Sequence, residues 1–171
     1  MKTQIFLNET EKSIARHIAK QRYENARSKG IVDGKMGRQS NYDTDLEGAA
    51  AELAFCKDKN IYPDLENRVD LGYDCMYYGT RIDVKATKYK TGRLLATLKK
   101  KVCENVDVFV LMVGSFSTYY TIVGAVAKED FIRDENIKDL GRGKGYCLDQ
   151  SQLSNLVTAI SKSKRKNHDI R

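Results

Sequence analysis

The segment from Asp107 to Val113 constrains the fold of this chain more than any other, because it is a nearly unbroken run of apolar residues. Strands that are buried on both faces have this character, whereas strands with one solvated face alternate apolar and polar residues. We therefore expect a central strand here. A turn at 115–118 and a further strand at 119–126 are predicted to follow it.

A hairpin is predicted upstream, where strand candidates at 71–78 and 81–87 flank Gly79-Thr80. A Gly-X pair suits a two-residue type II′ turn. The turn fixes the register of the two strands, and a turn at another position would shift that register.

Three charged residues of this hairpin share one face in the predicted register. Asp74 lies directly opposite Lys85, and residues directly opposite in an antiparallel pair point to the same side. Asp83 precedes Lys85 by two residues, so it points the same way. The residues that alternate with them are expected to point into the core: Ile82, Val84 and Ala86.

Helices are predicted on either side of these strands. They span about 8–29, 44–59, 128–136 and 151–163, and an edge strand is expected at 146–148. Capping boxes begin the first two helices, and Gly30 is expected to end the first. Glu47 occupies the third position of the second capping box, which accounts for it without any function.

Together these elements predict an α/β fold, with a mixed, mainly antiparallel sheet of four to five strands flanked by helices. A chain of 171 residues without repeats or linkers is expected to form one domain. The predicted domain covers 1–161, with a basic helix and loop at 1–42 and a core at 43–161. A basic tail is expected at 162–171.

Composition limits the functional classes. The formal charge is +7, and acidic residues collect between positions 43 and 74. A basic surface attracts a polyanion, while an acidic pocket can hold a cation, although ordinary solubility charge is the alternative explanation. No apolar run approaches the roughly 20 residues of a membrane span. The apolar stretch near the first residue is shorter than the apolar region of a signal peptide. A cytoplasmic protein with four reduced cysteines is expected.

Two carboxylates beside a lysine have two explanations. One is a cross-strand salt bridge between Asp74 and Lys85, worth at most about 1 kcal/mol at an exposed site. The other is a magnesium site, because hard cations take carboxylate oxygens and leave room for water and phosphate. Glu52 favours the second explanation, since it lies on the flank of the apolar stripe of the second helix and can lean toward the sheet.

The pattern resembles the PD-(D/E)xK nuclease superfamily, and more narrowly its small phage and prophage members. The resemblance lies in Gly48-Ala-Ala-Ala-Glu52-Leu-Ala-Phe55, Gly72-Tyr-Asp74 and Ile82-Asp83-Val84-Lys85-Ala86-Thr87. It implies a restriction-endonuclease-like core, a mixed sheet with a helix on either side. It also implies a Mg²⁺ or Mn²⁺ ion bound by Glu52, Asp74, Asp83 and the Val84 carbonyl, with Lys85 as the catalytic lysine. For a phage protein, the compartment is the host cytoplasm.

Two features of the pattern leave alternatives. Pro63-Asp64 matches the motif letters better than Tyr73-Asp74, but it lies outside the predicted hairpin, so Asp74 is preferred. The set of acids and lysine predicts a metal-dependent endonuclease, and a non-catalytic protein that binds nucleic acid or a host protein on the same fold is the alternative. RNA as the substrate and a homodimer are left open.

Candidate nucleic-acid contacts lie in two basic segments. Lys88, Lys90 and Arg93 follow the predicted catalytic strand and interleave with an aromatic residue, a combination that suits a nucleic-acid backbone. Arg16 and Lys20 recur at helical spacing along one side of the first helix. We expect the partner to be DNA and the substrate contacts to be these five cations.

Overall fold

Two sheets contain the strands of the described chain, and three long helices cover the larger sheet. The computed structural model describes residues 2–28, 30, 40–65, 72–98, 104–139, 141 and 143–168, with the main chain alone at 166–168. The helices are α1 (Glu9–Ser28), α2 (Asn41–Lys59), α3 (Lys128–Phe131) and α4 (Leu156–His168). The strands are β1 (Cys75–Tyr77), β2 (Thr80–Thr87), β3 (Leu94–Thr97), β4 (Val108–Gly114), β5 (Tyr120–Ala127), β6 (Ile137–Asp139) and β7 (Lys144–Leu148).

The larger sheet has the order β1-β2-β4-β5 and is mixed. Its central pair, β2 and β4, is parallel, while the two outer pairs are antiparallel. The smaller sheet, β3-β7-β6, is antiparallel throughout. The predicted α/β class with a mixed sheet is therefore confirmed. The predicted edge strand at 146–148 is wrong, because this segment belongs to β7, the middle strand of the second sheet.

Strand β4 lies at the centre of the fold, as its apolar sequence predicted. Val108, Val110 and Met112 face the long helices, whereas Phe109 and Leu111 face the second sheet. All five side chains are at most 1% exposed. Each burial of this kind stabilises the folded chain by about 1.5–3 kcal/mol relative to an exposed side chain. Both faces of β4 are thus core.

The three long helices cover one face of the larger sheet. Ile18 of α1, Ala50 of α2 and Ala159 of α4 belong to the same buried cluster as Val84 and Val110. The opposite face packs against the second sheet and α3, whose Phe131 ring lies 5.1 Å from the ring of Phe109. The short α3 is therefore on one side of the sheet and the long helices are on the other.

Helix α1 begins and ends as predicted. Asn8 and Glu11 exchange hydrogen bonds in a capping box, with Asn8 Oδ1 accepting from the Glu11 N–H at 2.9 Å. Gly30 has φ +62°, and its N–H donates to the Arg27 carbonyl. A residue at positive φ beyond the last turn is the usual helix stop, and glycine tolerates it best.

Helix α2 begins earlier than predicted. Ser40 caps it by accepting from the Asp43 N–H at 3.0 Å, so Asn41 is already helical. Glu47 consequently lies beyond the first turn and does not cap the helix. Its Oε2 accepts instead from the Tyr120 hydroxyl at 2.5 Å and from the Phe116 N–H at 2.9 Å. Glu47 therefore fastens α2 to the hairpin between β4 and β5.

Helix α4 is longer at its C-terminal end than predicted. Residues 162–168, assigned above to a tail, continue the helix, and Ser163 is buried in it. Residues 169–171 lie outside the described residues, as do residues 31–39 of the predicted loop.

Two further observations concern the predictions from composition. Cys56, Cys75 and Cys147 are free and buried, as expected, whereas Cys103 lies outside the described residues. In the described part of the chain, no helix combines the length and apolar character needed to cross a lipid bilayer.

Candidate active site

The hairpin of β1 and β2 turns at Tyr78-Gly79, one residue earlier than predicted. Both residues have positive φ, +48° and +72°, as a type I′ turn requires. Tyr77 therefore pairs with Thr80, and the predicted pairing of Asp74 with Lys85 is wrong. Turn preferences favoured glycine at the first central position, whereas the structure places an aromatic residue there.

Asp74 reaches the edge of β2 just beyond the end of β1. Strand β1 begins at Cys75, so the Val84 N–H lies past its end and donates to Asp74 Oδ2 at 2.7 Å. The N–H and C=O of a strand residue point to the same side, so the Val84 carbonyl faces this edge as well. The main chain of Asp74 is held by a 2.9 Å hydrogen bond from its N–H to the Ile82 carbonyl.

Asp83 and Lys85 lie on the face of β2 that points away from the long helices. Ile82 and Val84 belong to the helix-facing core, as predicted, but Ala86 is exposed and that part of the prediction is wrong. Asp83 is 4% exposed, and its Oδ2 accepts from Lys85 Nζ at 3.0 Å.

The second oxygen of Asp83 is buried but lacks a proper hydrogen bond. Oδ1 lies 2.7 Å from Lys85 Nζ, yet it has no partner with hydrogen-bond geometry among the described residues. The Lys85 ammonium therefore contacts both oxygens of Asp83 and neutralises the carboxylate. Because Oδ1 lacks a hydrogen bond, it keeps acceptor capacity that a further cation could use.

Glu52 is held from the helix side by Arg22 of α1. Arg22 Nη1 donates to Oε1 at 2.7 Å, and Nη2 donates to Oε2 at 2.6 Å. The two side chains are only 23% and 16% exposed. A bidentate arginine–carboxylate pair of this kind fixes orientation as well as charge.

The four predicted site residues influence one another electrostatically. Burial raises the pKa of Asp74 well above its usual range, and the charges of Glu52 and Asp83 raise it further, against the opposing effect of Lys85. Burial alone would lower the pKa of Lys85, but Asp83, Asp74 and Glu52 together raise it above its usual value. Asp74, Asp83 and Lys85 thus meet at the edge of β2, and Glu52 of α2 joins them in one charged cluster through its electrostatic effect on Asp74 and Lys85.

Arg22 belongs to the same cluster. Burial alone would lower its pKa, but Glu52 and, more weakly, Asp74 raise it. The cluster then contains three carboxylates (Glu52, Asp74 and Asp83) and two cations (Arg22 and Lys85), so its formal charge is −1. Burial is the main cause of the raised pKa of Asp74, and this excess of negative charge adds to it.

Some of the oxygen atoms in the charged cluster are suitable ligands for a hard cation such as Mg²⁺. Mg²⁺ binds through one or two carboxylates and keeps water and phosphate oxygens as its other ligands. Asp74, Asp83 and the Val84 carbonyl offer such oxygens. As the side chains stand, no group of three or more histidine, cysteine, aspartate or glutamate residues in the described chain could hold a metal ion. Glu52 cannot join the set while Arg22 occupies both of its oxygens.

An ion pair fixes the starting end of β2 beside the site. Arg81 contacts Asp107 through its main-chain N–H and through two guanidinium nitrogens, at 2.7–3.0 Å. Partial burial alone would raise the pKa of Asp107, but the hydrogen bonds from Arg81 lower it. The pair ties β2 to the start of β4.

The basic segment after β2 is exposed in part. Lys88 and Lys90 are exposed, and Lys88 Nζ lies 5.8 Å from the centre of the Tyr89 ring. Arg93 forms a 2.6 Å ion pair with Asp149, so its charge is partly neutralised. Two of the three predicted contacts, Lys88 and Lys90, thus present exposed positive charge just beyond β2.

The two predicted nucleic-acid contacts on α1, Arg16 and Lys20, have different surroundings. The Arg16 guanidinium lies over the Phe116 ring, 4.9 Å from its centre. Lys20 is exposed and lies 3.9 Å from Glu24. Both lie on the same helix as Arg22, which was not predicted from the sequence to belong to the site.

The spacing of buried residues in α1 could have indicated Arg22. Ala15, Ile18 and Ala19 are the buried residues of this helix. Arg22 follows Ile18 by four positions and Ala19 by three, so it continues their stripe. A cation in a buried stripe needs a carboxylate partner from a neighbouring element.

Comparisons with protein-family models, with curated proteins and with solved structures found no match to this chain.

Proposed function

We propose that this chain is a metal-dependent nuclease that hydrolyses phosphodiester bonds of DNA, on a variant of the PD-(D/E)xK pattern. One observation carries the proposal. Glu52, Asp74, Asp83 and Lys85, selected from sequence as one centre, share a charged cluster at the edge of β2. Within it, a buried Asp83 oxygen contacts the Lys85 ammonium at 2.7 Å but accepts no hydrogen bond from the described residues.

The residues divide into cation ligands and a transition-state donor. Asp74, Asp83 and the Val84 carbonyl would hold Mg²⁺ or Mn²⁺, with Glu52 available only after it separates from Arg22. The bound cation supplies an acidified water and neutralises charge that develops on phosphorus. Lys85 keeps its proton at neutral pH because its pKa is raised, so its ammonium is available as a fixed positive charge for a phosphate oxygen.

The surface charge favours a polyanionic substrate. The chain has a formal charge of +7, and Lys88 and Lys90 are exposed just beyond β2. Binding of this kind is electrostatic and weakens steeply with salt. We propose DNA as the substrate, and RNA is tested in the same assays.

Cleavage assays on two site variants and one control test the proposal. Single-stranded, duplex and branched DNA, and RNA, are incubated with the wild type and variants in Mg²⁺, in Mn²⁺ and in chelator. Asp83→Asn should abolish the metal-dependent cleavage of DNA. Lys85→Met should slow it by on the order of 10²–10³.

The control is Lys57→Met, which removes a lysine of similar exposure from a 2.8 Å ion pair outside the cluster. It should cleave like the wild type. Thermal denaturation establishes that each variant is folded. Wild-type rates in folded Asp83→Asn, or cleavage that persists in chelator, would refute the site.

A non-catalytic nucleic-acid-binding protein is the second candidate. It is favoured by the ion pairs within the cluster, since Arg22 already neutralises Glu52 and Lys85 already contacts Asp83. Salt-sensitive binding without cleavage in either metal would support this candidate over the nuclease.

A further inference from the structure

The tip of the β1–β2 hairpin places a tyrosine in a backbone conformation that tyrosine rarely adopts. Tyr78 has φ +48°, at the first central position of the turn. This position favours asparagine, aspartate and glycine, and a bulky side chain there is strained. Strain of this kind persists in functional segments, where the side chain is needed for something other than stability.

The ring of Tyr78 contributes little to the core. Its side chain is 76% exposed. The ring lies 4.6 Å from the ring of Tyr77 at an angle of 65°, and Tyr77 in turn lies 6.5 Å from the ring of Phe55 in α2. The inner rings therefore anchor the hairpin, while one face of the outermost ring is open to solvent.

Positive charge lies at the main chain of this turn. Lys164 of α4 donates from Nζ to the Tyr78 carbonyl at 2.9 Å. Lys164 and its neighbour Arg165 are exposed. Exposed aromatic rings next to cations are the combination with which proteins bind single-stranded nucleic acid, because the bases stack and the phosphates are neutralised.

Tyr78 belongs to the same hairpin as Asp83 of the charged cluster. Asp83 lies three residues beyond Thr80 on the same hairpin, about 10 Å at the rise of a β-strand.

We propose that Tyr78 is a stacking platform for a base of single-stranded nucleic acid, with Lys164 at the turn, and Arg165 next to it in α4, available to neutralise the backbone. The inference rests on the proposed function, because it names single-stranded nucleic acid as the substrate class. Duplex bases already stack on one another, so a duplex should depend on Tyr78 much less.

Binding in the absence of cleavage tests this inference. Fluorescence anisotropy measures the Kd of a labelled single-stranded oligodeoxythymidylate, and of a duplex, in chelator. Tyr78→Asn should weaken single-strand binding by roughly 5- to 150-fold, the range for loss of one stacked base. Tyr78→Phe keeps the ring and should bind within about twofold of the wild type.

The same substitution separates binding from folding. Tyr78→Asn gives an Asn-Gly turn, the preferred type I′ sequence, so its Tm should rise by about 1 to 4 °C. A variant that is more stable and binds less tightly cannot have lost affinity by unfolding. The matched control is Tyr62→Asn, which removes a ring that is 81% exposed in the loop after α2 and should leave the Kd unchanged.

Three results would overturn the inference: no single-strand binding by the wild type, unchanged binding in Tyr78→Asn, or an equal loss in Tyr62→Asn. A failure of cleavage in Mg²⁺, with Tyr78-dependent binding retained, would refute the nuclease proposal and leave this inference standing.

Discussion

Replacement of Arg22 by methionine separates the two ways in which the Glu52 carboxylate can be neutralised. In the described structure the guanidinium holds both carboxylate oxygens. Methionine keeps the aliphatic volume and removes the charge. Glu52 would then be a half-buried carboxylate without its partner, next to the negative charge of Asp74.

The size of the effect follows from burial. Breaking a fully buried ion pair costs about 3–5 kcal/mol. The side chains here are 23% and 16% exposed, so we expect Arg22→Met to lower the free energy of unfolding by about 2–3 kcal/mol. For a chain of this size, that corresponds to a decrease in Tm of about 4–12 °C.

A divalent cation should reverse much of this loss. Removal of Arg22 changes the formal charge of the cluster from −1 to −2 and frees Glu52 as a ligand, so the cation should bind tighter by at least about tenfold. Ligand binding to the folded state adds about 2.7 kcal/mol at a concentration of 100 Kd. Mn²⁺ should therefore raise the Tm of Arg22→Met more than that of the wild type.

Thermal denaturation in chelator and in Mn²⁺ measures both effects, with Arg16→Met as the control. Arg16 lies on the same helix, and its cation–π contact with Phe116 is worth at most about 1 kcal/mol at an exposed site. If Arg22→Met were no less stable than Arg16→Met, or if Mn²⁺ raised its Tm no more than that of the wild type, the reasoning would be refuted.

Two further predictions concern Asp74 and Tyr120. The pKa of Asp74 is raised in the folded state, so between the unfolded value of about 3.9 and the folded value the native chain binds more protons and stability falls as pH rises. In chelator, Asp74→Asn should therefore have a higher Tm than the wild type at neutral pH, and the difference should vanish on acidification to about pH 3.9. A lower Tm at neutral pH would contradict this. Tyr120→Phe removes the 2.5 Å hydrogen bond to Glu47, so denaturation should show a loss of about 1–3 kcal/mol while any cleavage rate stays unchanged. A stable variant would show that Glu47 is satisfied without the hydroxyl.

The sequence predicted the parts of the fold that have strong local patterns. The apolar run of β4, the capping box of α1 and the stop at Gly30 were all confirmed. The second sheet was missed because β3 and β6 are only four and three residues long. Segments that short have too few residues to display an alternating pattern. Without partners, β7 was taken for an edge strand.

The register of the hairpin was missed for a different reason. Turn preferences placed Gly79 first, whereas the structure accepts strain at Tyr78. Asp74 still lies close to Asp83, because its carboxylate is at the edge of β2 and accepts a hydrogen bond from the Val84 N–H. The predicted proximity thus survived the shift in register, although the predicted pairing did not.

Strand β4 also determines when the charged cluster can form during synthesis. All five charged groups lie between Arg22 and Lys85, in the first half of the chain. Strand β2 pairs with β1 over three residues only and with β4 over six, and an isolated two-stranded hairpin is marginally stable at best. A nascent chain released before β4 would contain every ionisable group of the site but no sheet to hold them. Translation must pass residue 114 before the ribosome has produced a chain able to assemble the centre.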